Sequence, residues 1–165
     1  MAFDTYMKIQ GIDGEATAKG MEKQVALQSF SWGASNPTNH NPGTTGLAAS
    51  RVTVSSFSCL KQTDKTSAPL FLACCKGTHI PEIDVTMRKA AGDAGQAPFL
   101  VYKFKNCLVE SVQWAGSSGG DDTPTESVSI AFDEVEITYS QQDTKGGAVG
   151  KPAVGAWNLA TLDGK

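Results

Sequence analysis

From Tyr6 to Tyr139 the apolar positions recur mostly at every second residue, the signature of strands whose alternate side chains enter a core. Tyr6 to Ile9 opens the series and stops at Gly11-Ile12-Asp13-Gly14, a turn-prone group. A second strand is predicted over Val25 to Trp32. There Phe30 and Trp32 share one face and Ser29 and Ser31 the other, so the aromatics are buried and the serines displayed. Further strands are predicted over Arg51 to Leu60, through Ile83, Val85 and Met87, over Phe99 to Lys105, and over Leu108 to Trp114. The segment Ala90 to Ala97 reads as a turn. The last strand runs from Glu126 to Tyr139, and its apolar positions change phase. Val128, Ile130 and Phe132 are even, whereas Val135, Ile137 and Tyr139 are odd. A bulge or bend near Asp133-Glu134 must absorb one residue, as a closing barrel requires.

Two segments break the alternation. Thr66 to Gly77 reads as one helix over about 67–76, with Ser67 able to cap it, Pro69 fitting its first turn and Gly77 ending it. Residues 33–50 hold two prolines and three glycines with no period, and read as a long extended loop. A loop of this length inside a compact domain is usually a binding element or disordered. Beyond Ser140 the chain turns polar and glycine-rich, and Ala156-Trp157-Asn158-Leu159 is an apolar patch expected to dock back. The sum is a single, mainly β domain over 1–165, an antiparallel barrel with one flanking helix.

Composition narrows the function. A formal net charge of −3 with scattered Lys and Arg leaves no basic footprint for nucleic acid or an anionic membrane surface. Only 19% of the 165 residues are charged, below the usual share of about 25%, which suits self-association. No apolar run approaches the ~20 residues that span a bilayer, and the start lacks a signal-peptide pattern, so assembly in the cytoplasm is expected. The four cysteines form no C-x-x-C pair and only two histidines accompany them, so neither metal nor cofactor is expected and the thiols read as free and buried. A redox role for Cys74-Cys75 is the weaker alternative.

Two catalytic patterns occur. Gly116-Ser117-Ser118-Gly119-Gly120 matches G-x-S-x-G, but a strand rather than a helix follows it. Ser58-Cys59-Leu60-Lys61 matches S-x-x-K, but it lies on a strand and lacks its companion motifs. A serine hydrolase-like effector is therefore the alternative reading, not the preferred one.

Ordered motifs carry a stronger signal. Tyr6-Met7-Lys8-Ile9-Gln10-Gly11-Ile12-Asp13-Gly14-Glu15 resembles the opening of the hemolysin-coregulated protein (Hcp) family. Ser29-Phe30-Ser31-Trp32-Gly33, Leu70-Phe71-Leu72-Ala73-Cys74-Cys75 and Arg88-Lys89-Ala90 are similar to its middle, and Leu108-Val109-Glu110-Ser111-Val112 with Glu126 to Phe132 to its closing hairpin. The resemblance implies a non-enzymatic tube subunit of type VI secretion: a β-barrel with one helix, six copies forming a ring and rings stacking. It implies spike and sheath proteins as partners, small effectors as cargo, and export without a cleaved signal peptide. Ser29 and Ser31 would face the lumen. The loop from Asn36 through Pro37, Thr38, Asn39, His40, Asn41, Pro42, Gly43 and Thr44 to Thr45 would stack against neighbours. A chaperone ring that forms no long tube is the further alternative.

Overall fold

A computed structural model describes residues 3–40, 43, 46–90, 95–120 and 122–165. Its first strands are β1 (Asp4–Ile9), β2 (Val25–Leu27) and β3 (Ser29–Ser31), followed by the short β4 (Ala34–Ser35), β5 (Thr38–His40), β6 (Leu47–Ala49) and β7 (Thr53–Val54). Then come β8 (Phe57–Gln62), α1 (Ser67–Lys76), β9 (Ile80–Ala90), β10 (Gln96–Ala115), β11 (Thr125–Tyr139), β12 (Ala153–Asn158) and β13 (Asp163–Gly164). Every ladder is antiparallel.

The main sheet runs in the order β13-β12-β11-β10-β9-β1-β2, and β11 also pairs with β8, which pairs with β3. This branching comes from length. β10 and β11 are long enough to serve two leaves, one with each half. Where the sequence suggests two strands, Phe99 to Lys105 and Leu108 to Trp114, a single strand runs through. The first leaf holds β2, β1, β9, the early half of β10, the late half of β11 and β12. The second holds β3, β8, the early half of β11 and the late half of β10.

A crease joins the leaves, and the apolar phase marks it on three neighbouring strands at one level. Buried positions pass from Ile80 to Ile83 on β9, from Phe104 to Cys107 on β10 and from Phe132 to Val135 on β11, each an odd step. Pairing places these steps side by side, with Lys105 opposite both Glu82 and Glu134. The bend expected near Asp133-Glu134 is therefore there. The ladder's one-residue bulge on β10 lies elsewhere, between Val109 and Ser111.

The core fills the space between the leaves. Met7, Val25, Ile83, Val85 and Phe104 enter from the first leaf, and Phe57, Cys59, Val128 and Ile130 from the second, all at most 3% exposed. Trp32 sets its edge against Tyr102, Phe104 and Phe132, with ring centroids 5.1, 5.5 and 6.0 Å away. Helix α1 packs on β10 and buries Leu70 and Ala73. Its C-cap Gly77 is left-handed at φ 62°, the conformation glycine adopts without strain. At the other end Thr66, not Ser67, is the N-cap residue and makes no capping bond with its side chain; Ser67 is turned inward to another task.

Three further expectations need correction. The ladders do not close into a barrel: the strand predicted over Val25 to Trp32 breaks at Gln28, so β2 pairs with β1 and β3 with β8. Among the described residues the Gln28 N–H to Leu60 carbonyl bond, 2.8 Å, is the one hydrogen bond that bridges the gap. The described part of residues 33–50 is not an aperiodic loop. β4 pairs with β7 and β5 with β6, making an exposed two-stranded arm tied at its base by Ser55 N–H to the Gly33 carbonyl, 2.8 Å. Alternation of apolar residues is missing there because the described residues of that stretch are exposed on both faces, and only Val54 at the base of the arm packs against the core. The thiols are not uniformly buried either: Cys59 and Cys107 are, Cys74 is partly buried and Cys75 is exposed. The patch at Ala156-Trp157-Asn158-Leu159 docks as expected, Ala156 to Asn158 as the end of the added strand β12 with Leu159 just beyond it.

Candidate functional site

Strand alternation creates a surface on the outside of the second leaf. Phe30 on β3, Cys59 on β8, Val128 on β11 and Val112 on β10 are paired in one row and point to the core side. One position along, Ser31 pairs with Ser58, Ser58 with Ser129, and Ser129 with Ser111. The result is four serines in register across four strands, a row spanning ~14 Å at the usual strand spacing. Ser29 starts the next row, opposite Leu60, with Ser127 beyond it. Both sequence-predicted serines are thus exposed on one face.

Hydrogen bonds tie the row together. Ser129 Oγ donates to Glu110 Oε2 at 3.4 Å, and the Ser58 and Ser129 hydroxyls are 3.3 Å apart. Glu110 reaches this face because it is the unpaired residue of the β10 bulge. Its carbonyl meanwhile accepts from the Cys74 thiol of α1 at 3.5 Å.

The outside of the first leaf differs. Lys8, Asp84, Lys103 and Glu136 pair in one row, and Glu82, Lys105 and Glu134 in the next. Lys103 lies 3.9 Å from Glu82 and Lys105 3.7 Å from Glu134. Burial, with Glu82 nearby, holds the Asp84 carboxyl above the usual range, and its Oδ1 has no hydrogen-bond partner.

Behind the serine face lies a buried ionic cluster. Lys61 and Glu126 are both fully buried and paired. Lys61 Nζ also donates to Asp64 Oδ1 at 2.8 Å and to the Gln62 carbonyl at 3.1 Å, and Ser67 Oγ donates to Glu126 Oε1 at 3.0 Å. Burial pushes the Asp64 carboxyl up, but hydrogen bonds from Lys61 and Thr66 outweigh it and hold the group below its ordinary value. The cluster fastens the start of α1 to the ends of β8 and β11. Lys61 is thereby directed inward and Ser58 outward, which separates the two halves of the S-x-x-K pattern.

The remaining candidates are dispersed. Ser118 sits in the exposed turn between β10 and β11, beside a cavity of about 510 Å³ lined by Ala115, Gly116, Ser117, Thr123 and their neighbours, with no histidine in its wall. His79 bonds Asn106 Oδ1 through Nδ1 at 2.9 Å. Burial pushes the Cys59 and Cys107 thiols up to about 12, far from thiolate chemistry. Of the expected stacking residues, Asn36 and Pro37 lead into β5, which holds Thr38, Asn39 and His40; Gly43 lies in a turn, and Asn41, Pro42, Thr44 and Thr45 fall outside the described residues.

Sequence reading missed Ser58, Ser111, Ser129 and Glu110. Ser58 between Phe57 and Cys59, and Ser129 between Val128 and Ile130, carry the same alternation that exposed Ser31. Glu110 carries no such signal, because nothing in the chain marks the bulge.

A family model described as "Type VI secretion system effector, Hcp" matches residues 6–139. Protein hcp1 of Pseudomonas aeruginosa is 35% identical over 159 residues, 96% of each chain. A solved structure described as "a type six secretion system protein" has a TM-score of 0.92 at 35% identity, over 99% of this chain and 100% of the other. Hcp1 from Salmonella typhimurium has a TM-score of 0.79 at 26% identity, over 100% of both.

Proposed function

Because the chain belongs to the Hcp family of type VI secretion proteins, we propose that it is a tube subunit: six copies close into a ring whose lumen is lined by the serine leaf. Rings stack through the arm spanning residues 33–55, the tube leaves the cell with its spike inside a sheath, and small effectors travel in the lumen. Catalysis has no part in this reading.

The observation that carries it is the contrast between the two outer faces. A hydroxyl-rich face with one charge among the described residues of its serine rows is poorly suited to a tight protein seam, yet well suited to a wetted channel wall that holds and releases varied cargo. The alternating charges of the first leaf supply the complementary pairs that an interface between copies uses to fix its register. Closed cyclic symmetry lets these surfaces be satisfied in every copy.

Native mass spectrometry and negative-stain microscopy test the ring. Six-fold particles with a central hole are expected as concentration rises. A strict monomer at every concentration overturns the reading.

A further inference from the structure

We propose that Glu110 makes the serine leaf selective for cargo presenting lysine or arginine side chains, reading one basic group per subunit. The inference rests on the reading of this leaf as a lumen wall, and it adds the chemical class of what the wall holds.

The first ground is charge. Beside the serines the rows carry Leu60 and Gln113, and Leu108 and Ala131 follow, so among the described residues Glu110 is the one ionised group there; Asp133 lies one row further on, at the crease, where Asn106 donates to it. Lys61 and Glu126, on the same two strands β8 and β11, point into the core and neutralise each other there. Among the described residues Glu110 takes part in no ion pair, and it is exposed. Its charge is therefore available to a ligand.

The second ground is the direction of the hydroxyl chain. With Ser129 donating to Glu110, the 3.3 Å contact requires Ser58 to donate to Ser129. Both hydrogens are thus committed toward the carboxylate, and the outward lone pairs of both oxygens remain. At this point the wall accepts hydrogen bonds. Lysine and arginine offer three and five donors with no acceptor, which matches it. The other serines and Gln113 keep neutral donors, but a carboxylate or phosphate on the cargo would meet Glu110 with no positive charge on the face to offset the repulsion. The third ground is construction: the bulge that turns Glu110 outward is held from behind by the Cys74 to Glu110 carbonyl bond, so the carboxylate is carried on a braced strand rather than a loop.

The test uses ring-form protein, verified by native mass spectrometry, and two fluorescein-labelled peptides. One alternates glycine, serine and lysine; the other has glutamate for every lysine. Fluorescence anisotropy at low salt should show binding of the basic peptide only, weakening as salt rises. Glu110→Gln should weaken that binding about five-fold, the scale of one exposed charge pair, and Glu110→Lys should reverse the preference. Asp143→Asn removes the same charge from the exposed turn after β11, keeps the Oδ1 that accepts from the Lys145 and Gly147 N–H groups, and should change nothing. Equal binding by the parent and Glu110→Gln rings overturns the proposal, as does an equal loss in Asp143→Asn, which would assign the effect to net charge. Absence of rings in the parent protein overturns the lumen reading instead, so the two failures are distinguishable.

Discussion

Lys61 sits where hydrophobic alternation places a core residue, two positions after Cys59 and four after Phe57, and Glu126 likewise precedes Val128 and Ile130 in phase. Each ion is tolerable only because the other is there. Lys61→Met should cost about 3–5 kcal/mol in urea unfolding, since Glu126 is left charged and buried without its cation. The double replacement Lys61→Met with Glu126→Leu should recover most of that loss. Asp64 adds a pH dependence. Its folded value is depressed below its ordinary 3.8, so its contribution is fully present above that value and disappears as pH falls through the folded one. Thermal melts of Asp64→Asn should therefore lie below the parent at neutral pH and converge with it below 3.8. A melting difference that is independent of pH would remove Asp64's ionised form from the account. The ionic pair was legible in the phase of its two residues. The serines facing Ser31 were equally legible, while Glu110 was not, because one extra residue in a ladder has no local signature.

At the level of elements, alternation located the strands of the core and capping chemistry located α1, because in both cases a buried face imposes a period. What it could not show was continuity. β10 reads as two strands because its phase changes at Lys105-Asn106-Cys107, yet the chain passes straight on, with Asn106 left-handed at φ 51°. Asparagine tolerates that region better than other residues with a Cβ. Its side chain is also held at both ends, by His79 and by the Asp133 carboxylate. Asn106→Gly keeps the backbone and loses the side chain, whereas Asn106→Ala loses both. Chemical unfolding should find the alanine variant less stable than the glycine variant by about 1 kcal/mol. The reverse order would mean that the left-handed backbone at Asn106 does not decide the stability of the crease. The arm escaped detection for the opposite reason: two strands exposed on both faces need no apolar period, so only their ladders reveal them.

For the whole molecule, the sequence supports one mainly β domain with a flanking helix, and the resemblance over residues 6–139 gives its family. The open circuit at Gln28 and the difference between the two outer faces depend on which halves of β10 and β11 adjoin which neighbours, and that is settled only by the fold. The crease has a mechanical consequence. A flat sheet bends easily about lines parallel to its strands, but a plate folded across them gains stiffness in that direction, as corrugation does for sheet metal. Load along the strands acts on the crease as on a hinge, and there the aromatic rings packed between the two leaves fill the angle and resist its closing. In the tube proposed above, each subunit would then act as a finished, unyielding part, and thrust applied at one end would reach the other without being absorbed by the pieces between.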